Sequence, residues 1–121
     1  MIRSIWAGVV AEDFERERTW YEAVFGRVPD AAPMDGLYEW HSDESVLQLV
    51  ALARVRETQK LPSWGGRGTS SVTLVVDDAD ASLQAALDAG GSRVSAFGND
   101  TFRTISVADP ERNLVTFLQR L

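Results

Sequence analysis

The chain has 121 residues, 45% of them hydrophobic, which is enough for one domain with its own core. It has no cysteine and a single histidine, His41, which excludes disulfides, thiol nucleophiles, cysteine-bound zinc and any site that needs two histidines. The net charge of −6 disfavours nucleic acid as a partner and tolerates a cationic ligand. No apolar stretch approaches the ~20 residues of a membrane span, and the apolar start lacks a cleavage site. We therefore interpret that start as a strand and expect a cytoplasmic protein with no membrane partner.

The sequence contains two similar halves. Sliding it along itself lays 6–26 over 71–91, and aligns Asp13 with Asp78. Each copy is an apolar extended run, then acidic residues ending in Asp, then a helical pattern that stops at glycine, as at Gly26. The two aspartates stand where an N-cap carboxylate accepts hydrogen bonds from the first helical turn. The pattern predicts one helix in each half.

Short extended segments follow each predicted helix, separated by turns rich in Asp, Gly and Pro. Together with the helices they predict a β-α-β-β-β order in each half, and one α+β domain over 1–121. Module one covers about 1–53, a long loop at 54–69 joins the halves, and module two covers about 70–121. The predicted strands after the helices are a piece near 27–29, 38–41 and 46–53 in the first half, and 93–96, 101–108 and 113–119 in the second.

The strand predicted at 71–76 indicates which face of the sheet the helix would cover. Val72 and Leu74 alternate with Ser71 and Thr73, so one face is apolar and the other is small and partly polar. We expect the apolar face to pack under the helix and the polar face to form the floor of a cup.

Three segments in order give the chain a family resemblance. They are VVAED at 9–13 leading into TWYEAVFG at 19–26, the start of the second half at 71–91, and the closing stretch at 103–115 with its DPERN turn. This pattern resembles the vicinal oxygen chelate superfamily, which includes glyoxalase I, extradiol dioxygenases and bleomycin resistance proteins. One departure is Arg112, where the family usually has glycine. If that position needs positive φ, either Arg112 is strained or Asn113 takes the role.

The resemblance implies a glyoxalase-like fold, in which two β-α-β-β-β modules curl a sheet around a cup that holds a divalent metal in the enzymes. The family's four ligand positions fall on Trp6, approximately Gln48, Ser71 and Thr116. Indole cannot ligate a metal, and neutral amide and hydroxyl oxygens are poor ligands without a charged neighbour. We therefore expect no metal and no other cofactor, and no glyoxalase I or ring-cleavage activity.

Aromatic side chains are the candidate wall of a ligand pocket, because flat apolar ligands stack on them. Each of them could instead be a core residue, or a loop plug in the case of Trp64. Arg103 is either a ligand anchor or a structural partner for Asp109, and the pair Glu39 and His41 fits a solvated hairpin end. The ligand-binding candidates are Trp6, Tyr38, Trp40, Gln48, Trp64, Ser71, Arg103 and Thr116.

The favoured function is metal-independent binding of a small, flat, largely apolar molecule, with a positive charge tolerated, as in the bleomycin resistance proteins that the chain resembles. The resemblance also implies a homodimer. A metal-independent lyase or isomerase of unknown substrate, using Arg103 with Glu39 or His41, is the alternative. A dimer without a ligand is a third interpretation.

Overall fold

The computed structural model describes residues 1–58 and 65–121 and contains eight strands and three helices in these ranges. Module one comprises β1 (Trp6–Ala11), α1 (Phe14–Phe25), β2 (Ala31–Met34), β3 (Leu37–Ser42) and β4 (Ser45–Ala51), followed by α2 (Leu52–Thr58). Module two comprises β5 (Ser71–Val75), α3 (Ala79–Asp88), β6 (Ser92–Gly98), β7 (Phe102–Ala108) and β8 (Leu114–Arg120).

Each module forms its own four-stranded sheet with the same topology. The strand orders are β1-β4-β3-β2 and β5-β8-β7-β6, and in both sheets the first strand pairs in parallel with the last. The β-α-β-β-β order and the glyoxalase-like fold are confirmed. In the described residues the strands form two separate sheets, one per module. Between β1 and the start of β5, the backbone N–H of Val10 donates to Ser70 Oγ at 3.1 Å.

The linker differs from its prediction as a loop, because it begins with the helix α2. Residues 52–58 lack glycine and proline and contain the good helix formers Leu, Ala, Arg and Glu. Leu52 is buried, so the apolar run that was predicted as strand to Ala53 bends into a helix after Ala51. The extended piece predicted near 27–29 lies instead at 31–34, as β2.

Helix ends follow the sequence signals. Asp13 Oδ1 accepts from the Arg16 N–H, and Asp78 Oδ1 accepts from the Ala81 N–H, as expected of N-caps. Gly26 ends α1 in the left-handed region with φ 71°. The residue with positive φ in the closing turn is Arg112, also at 71°. The strain expected there therefore falls on an arginine.

One core lies between the helices and both sheets. Its largest fully buried side chains are Trp20, Trp40 and Tyr21. The two on α1, Trp20 and Tyr21, each bond across to module two. Trp20 Nε1 donates to the Ala86 carbonyl at 3.0 Å, and the Tyr21 hydroxyl donates to Asp109 Oδ2 at 2.9 Å. The two modules are thus joined through the interior, on the helix side of the sheets.

A buried acidic network reinforces this junction. The Glu111 carboxylate accepts from the backbone N–H groups of Glu12 (2.8 Å) and Asp13 (2.6 Å), just before α1. Glu17 on α1 is fully buried beside this network, and its carboxyl oxygens have no hydrogen-bond partner within residues 1–58 and 65–121. Burial first, and then the neighbouring Asp109 carboxylate, raises the pKa of Glu17 to about 10. Glu17 is therefore protonated at neutral pH.

Candidate functional site

The candidate site lies on the side of the two sheets opposite the helices, called here the open face. In module one the strand register sets two parallel rows of side chains across this face. One row runs Trp6–Val46–His41 and the other runs Gly8–Gln48–Glu39 across β1, β4 and β3. Alternation along the strands turns their neighbours, such as Val9, Leu47 and Trp40, into the core.

Trp6 forms an exposed edge of the first row. Trp6 is 52% exposed, and its Nε1 donates to Ser4 Oγ at 3.1 Å. A Cβ built on the adjacent Gly8 would meet no atom within 4 Å. The space beside the indole is therefore open, as the small residue at this position predicts.

Three polar side chains lie together in these rows, on β3 and β4. Glu39 Oε1 lies 3.0 Å from His41 Nε2, and Glu39 Oε2 accepts from Gln48 Nε2 at 2.9 Å. Glu39 is only 6% exposed, whereas His41 is exposed. The hydrogen bonds from Gln48 and then His41 hold the pKa of Glu39 below its usual value, although burial opposes this.

The expectation of a solvated hairpin end is thus correct for His41 and wrong for Glu39. The signal that the strand pattern did not reveal is the cross-strand pairing of Glu39 with Gln48, which fixes both carboxylate oxygens. That pairing depends on the register of β3 against β4. A register of this kind is set by the hairpin and is not visible in either strand alone.

The module-two part of the open face carries small hydroxyl side chains. Ser71 and Thr73 on the edge strand β5 are exposed. Thr116 Oγ1 lies 2.8 Å from Ser106 Oγ, so these two hydroxyls already satisfy each other. The face also exposes apolar side chains, among them Val75 on β5 and Leu114 on β8.

The other predicted ligand contacts face the helices. Trp40 is 1% exposed, stacks on Phe25 at 5.2 Å between ring centroids, and donates from Nε1 to the Arg27 carbonyl. Tyr38 stacks on Phe14 of α1 at 4.7 Å. The structure therefore brings Trp6, Gln48, Ser71 and Thr116 to the open face and separates Tyr38 and Trp40 from them.

Arg103 also lies on the helix side, in phase with the buried Ile105 and Val107 of β7. Its guanidinium binds the Asp80 carboxylate through two hydrogen bonds of 2.9 and 3.0 Å. The structural partner of Arg103 is therefore Asp80 on α3, and Asp109 was the wrong residue for this role. Trp64 lies outside the described residues.

A cleft of about 650 Å³ separates the β3–β4 hairpin of module one from β5. A smaller hollow of about 220 Å³ adjoins it and reaches the edge of Trp40. The two cavities share Phe25, Ser42, Ser45, Thr73 and Leu74 as lining residues.

The residues at the family's metal positions do not fit a divalent metal. Trp6 offers an indole, Gln48 already donates to Glu39, and Ser71 and Thr116 offer neutral hydroxyls. In the described ranges, no three His, Cys, Asp or Glu side chains are grouped so that they could hold a metal ion. A carboxylate and one imidazole, Glu39 and His41, are too few for the imidazole and carboxylate sets that such sites use. These side chains therefore give no support to a reaction step through a metal.

Comparisons with known proteins agree with this architecture. A protein-family model described as a Glyoxalase-like domain matches residues 6–118. A search of curated proteins found no match. None of the helices within residues 1–58 and 65–121 has the length and apolar character needed to span a membrane.

Several solved structures share the fold. A glyoxalase/bleomycin resistance protein from Catenulispora acidiphila is 24% identical, with 96% of each chain covered and a TM-score of 0.73. A lactoylglutathione lyase from Agrobacterium tumefaciens is 15% identical, covering 97% of this chain and 92% of its own, with a TM-score of 0.74. TnmS3, an antibiotic binding protein from Streptomyces sp. CB03234, is 18% identical, with 100% and 98% covered and a TM-score of 0.74.

Proposed function

Because this chain belongs to the glyoxalase-like domain family, within the vicinal oxygen chelate superfamily, we propose that its open face binds a small, flat, largely apolar molecule without a metal. The observation that carries the proposal is the half-exposed Trp6 indole beside the open space over Gly8. Stacking against an aromatic ring adds about 0.5–1.5 kcal/mol to the burial of apolar area. The description of TnmS3 as an antibiotic binding protein supports such a role for this fold.

Neutral hydrogen-bonding groups would orient the ligand. Gln48 lies in the row next to Trp6, and Ser71 and Thr116 lie on the module-two part of the open face. Tyr38 and Arg103 have no ligand contact in this proposal, because both face the helices. The same proposal includes no metal ion and no other cofactor.

Calorimetric titration with 2-naphthalenemethanol, a flat neutral probe, tests the site. Trp6→Ala is expected to weaken binding by about tenfold, equivalent to about 1.4 kcal/mol. Leu87→Ala, which removes an exposed apolar side chain from α3, is the matched control and is expected to leave the affinity unchanged. Equal affinity of Trp6→Ala and wild type would refute the proposal. So would a loss of roughly 3 kcal/mol in stability on Trp6→Ala, because that is typical of a packed core residue.

A second candidate, metal-independent proton transfer as in a lyase or isomerase, is favoured by the contact between Glu39 and His41 on the open face. A carboxylate within hydrogen-bond reach of an exposed imidazole can pass a proton to or from a bound carbonyl compound. The test is deuterium exchange at the carbons next to the carbonyl of hydroxyacetone, monitored by NMR in D₂O with a chelator present. Exchange that is lost in Glu39→Gln and kept in Asp43→Asn would favour this candidate. An exchange rate no higher than that in buffer alone would exclude this candidate for hydroxyacetone.

We also propose that the protein is a homodimer. Val75 and Leu114 expose apolar surface on the open face, and Phe97 exposes more at the edge strand β6. Burial of this surface would favour association. Light scattering is expected to give twice the mass of one chain, with Val75→Asp shifting the protein to a monomer and Leu87→Asp leaving the mass unchanged. A wild-type monomer at high protein concentration would contradict the proposal.

A further inference from the structure

Glu39 is a buried carboxylate on the open face without a permanent counter-charge. Both of its oxygens are occupied, one by the Gln48 amide and one by the His41 ring, and neither donor carries a fixed charge. In the described part of the chain its only ion-pair partner is His41, which is charged only when protonated. Buried carboxylates are normally paired with a cation, because removal from water is costly. The site therefore lacks one positive charge.

His41 covers Glu39 in a way that allows it to be displaced. The His41 side chain is 47% exposed, against 8% for Glu39, so the ring can turn into solvent. Its backbone is fixed, because its N–H donates to Asp30 Oδ2 at 2.7 Å and its carbonyl accepts from Arg27 Nη2 at 2.7 Å. Arg27 and Asp30 also bond to each other at 3.2 Å, which holds this backbone anchor in place. Rotation of the ring alone would uncover Glu39 Oε1.

The register sets the span between the stacking residue and this carboxylate. Gly8 and Glu39 are separated by one strand, β4, as are Trp6 and His41. Neighbouring strands lie about 4.8 Å apart, so each row spans roughly 10 Å. A bicyclic ring stacked on Trp6 over Gly8 could therefore place an amino group on a one-carbon arm at Glu39.

We infer that Glu39 is the counter-ion for a protonated amine on the ligand, and that the His41 ring occupies this position until the ligand displaces it. The inference rests on the proposed function, because it takes the stacking of the ligand on Trp6 as given. It adds the chemical class of the ligand, a flat aromatic or polycyclic amine. The ammonium would donate to Glu39 Oε1, where His41 Nε2 lies now.

The test compares two probes of the same shape, 2-naphthylmethylamine and 2-naphthalenemethanol, by calorimetry at pH 7.5. Wild-type protein is expected to bind the amine about tenfold more tightly than the alcohol. Glu39→Gln, which keeps the size of the side chain, is expected to remove that preference and leave the affinity for the alcohol unchanged. His41→Ala is expected to increase the affinity for the amine severalfold, since the amine no longer displaces the ring. Asp43→Asn, in the hairpin turn next to β3, is the matched control for loss of a negative charge nearby.

The outcomes separate this inference from the proposed function. Equal binding of the two probes by wild type would overturn the inference alone and needs no variant. An amine preference that persists in Glu39→Gln would overturn it too, as would weaker amine binding by folded His41→Ala. Failure of both probes to bind would overturn the proposed function together with the inference.

Discussion

Replacing Glu17 by glutamine measures what it costs to keep an acid in the core of this protein. Glu17 is fully buried, and its carboxyl oxygens have no hydrogen-bond partner among the described residues. Its pKa is raised from 4.5 to about 10 by burial and by the nearby Asp109 carboxylate. Glutamine has nearly the same shape and stays neutral, so Glu17→Gln mimics the protonated side chain at every pH.

The magnitude follows from the linkage between protonation and folding. Between pH 4.5 and 10 the folded chain keeps the proton of Glu17 and the unfolded chain releases it. The contribution of Glu17 to the free energy of unfolding is therefore fully present below pH 4.5. Above that pH it falls by about 1.4 kcal/mol per pH unit. At pH 7 the accumulated loss is roughly 3 kcal/mol, and Glu17→Gln is expected to recover about that much.

Urea unfolding at pH 6, 7 and 8 is the assay. Carboxyl groups with a lowered pKa, such as Glu39, titrate below this range. Their contribution to stability is lost only as the pH falls through that pKa, so it does not change between pH 6 and 8. Wild type is expected to lose stability with rising pH, and Glu17→Gln is expected to be nearly flat. Glu15→Gln, an exposed position on the same helix, is the matched control and is expected to keep the wild-type slope. A flat wild-type profile, or a Glu17→Gln variant no more stable than wild type at pH 8, would refute the reasoning.

Three further predictions concern the backbone and the surface. Arg112→Gly relieves a side chain at φ 71° and is expected to stabilise the protein by about 0.5–1 kcal/mol, measured as a higher melting temperature; a lower one would contradict it. Gly91→Ala would put a Cβ 2.8 Å from the Nε1 of the core tryptophan in α1 and is expected to cost about 1–3 kcal/mol in urea unfolding. Gly66→Ala, whose Cβ would meet its nearest atom at an ordinary 3.7 Å, is its control, and equal losses in both variants would refute the packing argument. Asp80→Asn breaks the exposed ion pair with Arg103 and is expected to leave the melting temperature unchanged, because exposed ion pairs add little to stability; a large drop would contradict this.

The fold could be predicted from the sequence because its signals are local. Both N-caps, the glycine that ends α1, and the alternation in β5 each depend on a few neighbouring residues. The start of α2 was missed because Leu52 and Ala53 continue an apolar strand run with no turn residue between. Local pattern does not distinguish a longer strand from a strand that passes directly into a helix.

The candidate site was harder to predict because it depends on pairing between distant segments. Arg103 shares its strand phase with Ile105 and Val107, so its position on the helix side could have been inferred from alternation. Glu17 lies at helical spacing between Phe14 and Tyr21, within the apolar stripe, and only its residue type argued against burial.

The interior bonds between the modules bear on how such a repeat can arise. Trp20 and Tyr21 belong to module one, yet their polar atoms bond to Ala86 and Asp109 of module two. A chain with one module would expose these aromatic faces and leave their donors without these partners. Such a half would be stable only when it is paired with another copy of itself. When two copies are joined in one chain, the partner is always present, so their pairing no longer depends on protein concentration. The two halves should therefore unfold together in a single transition.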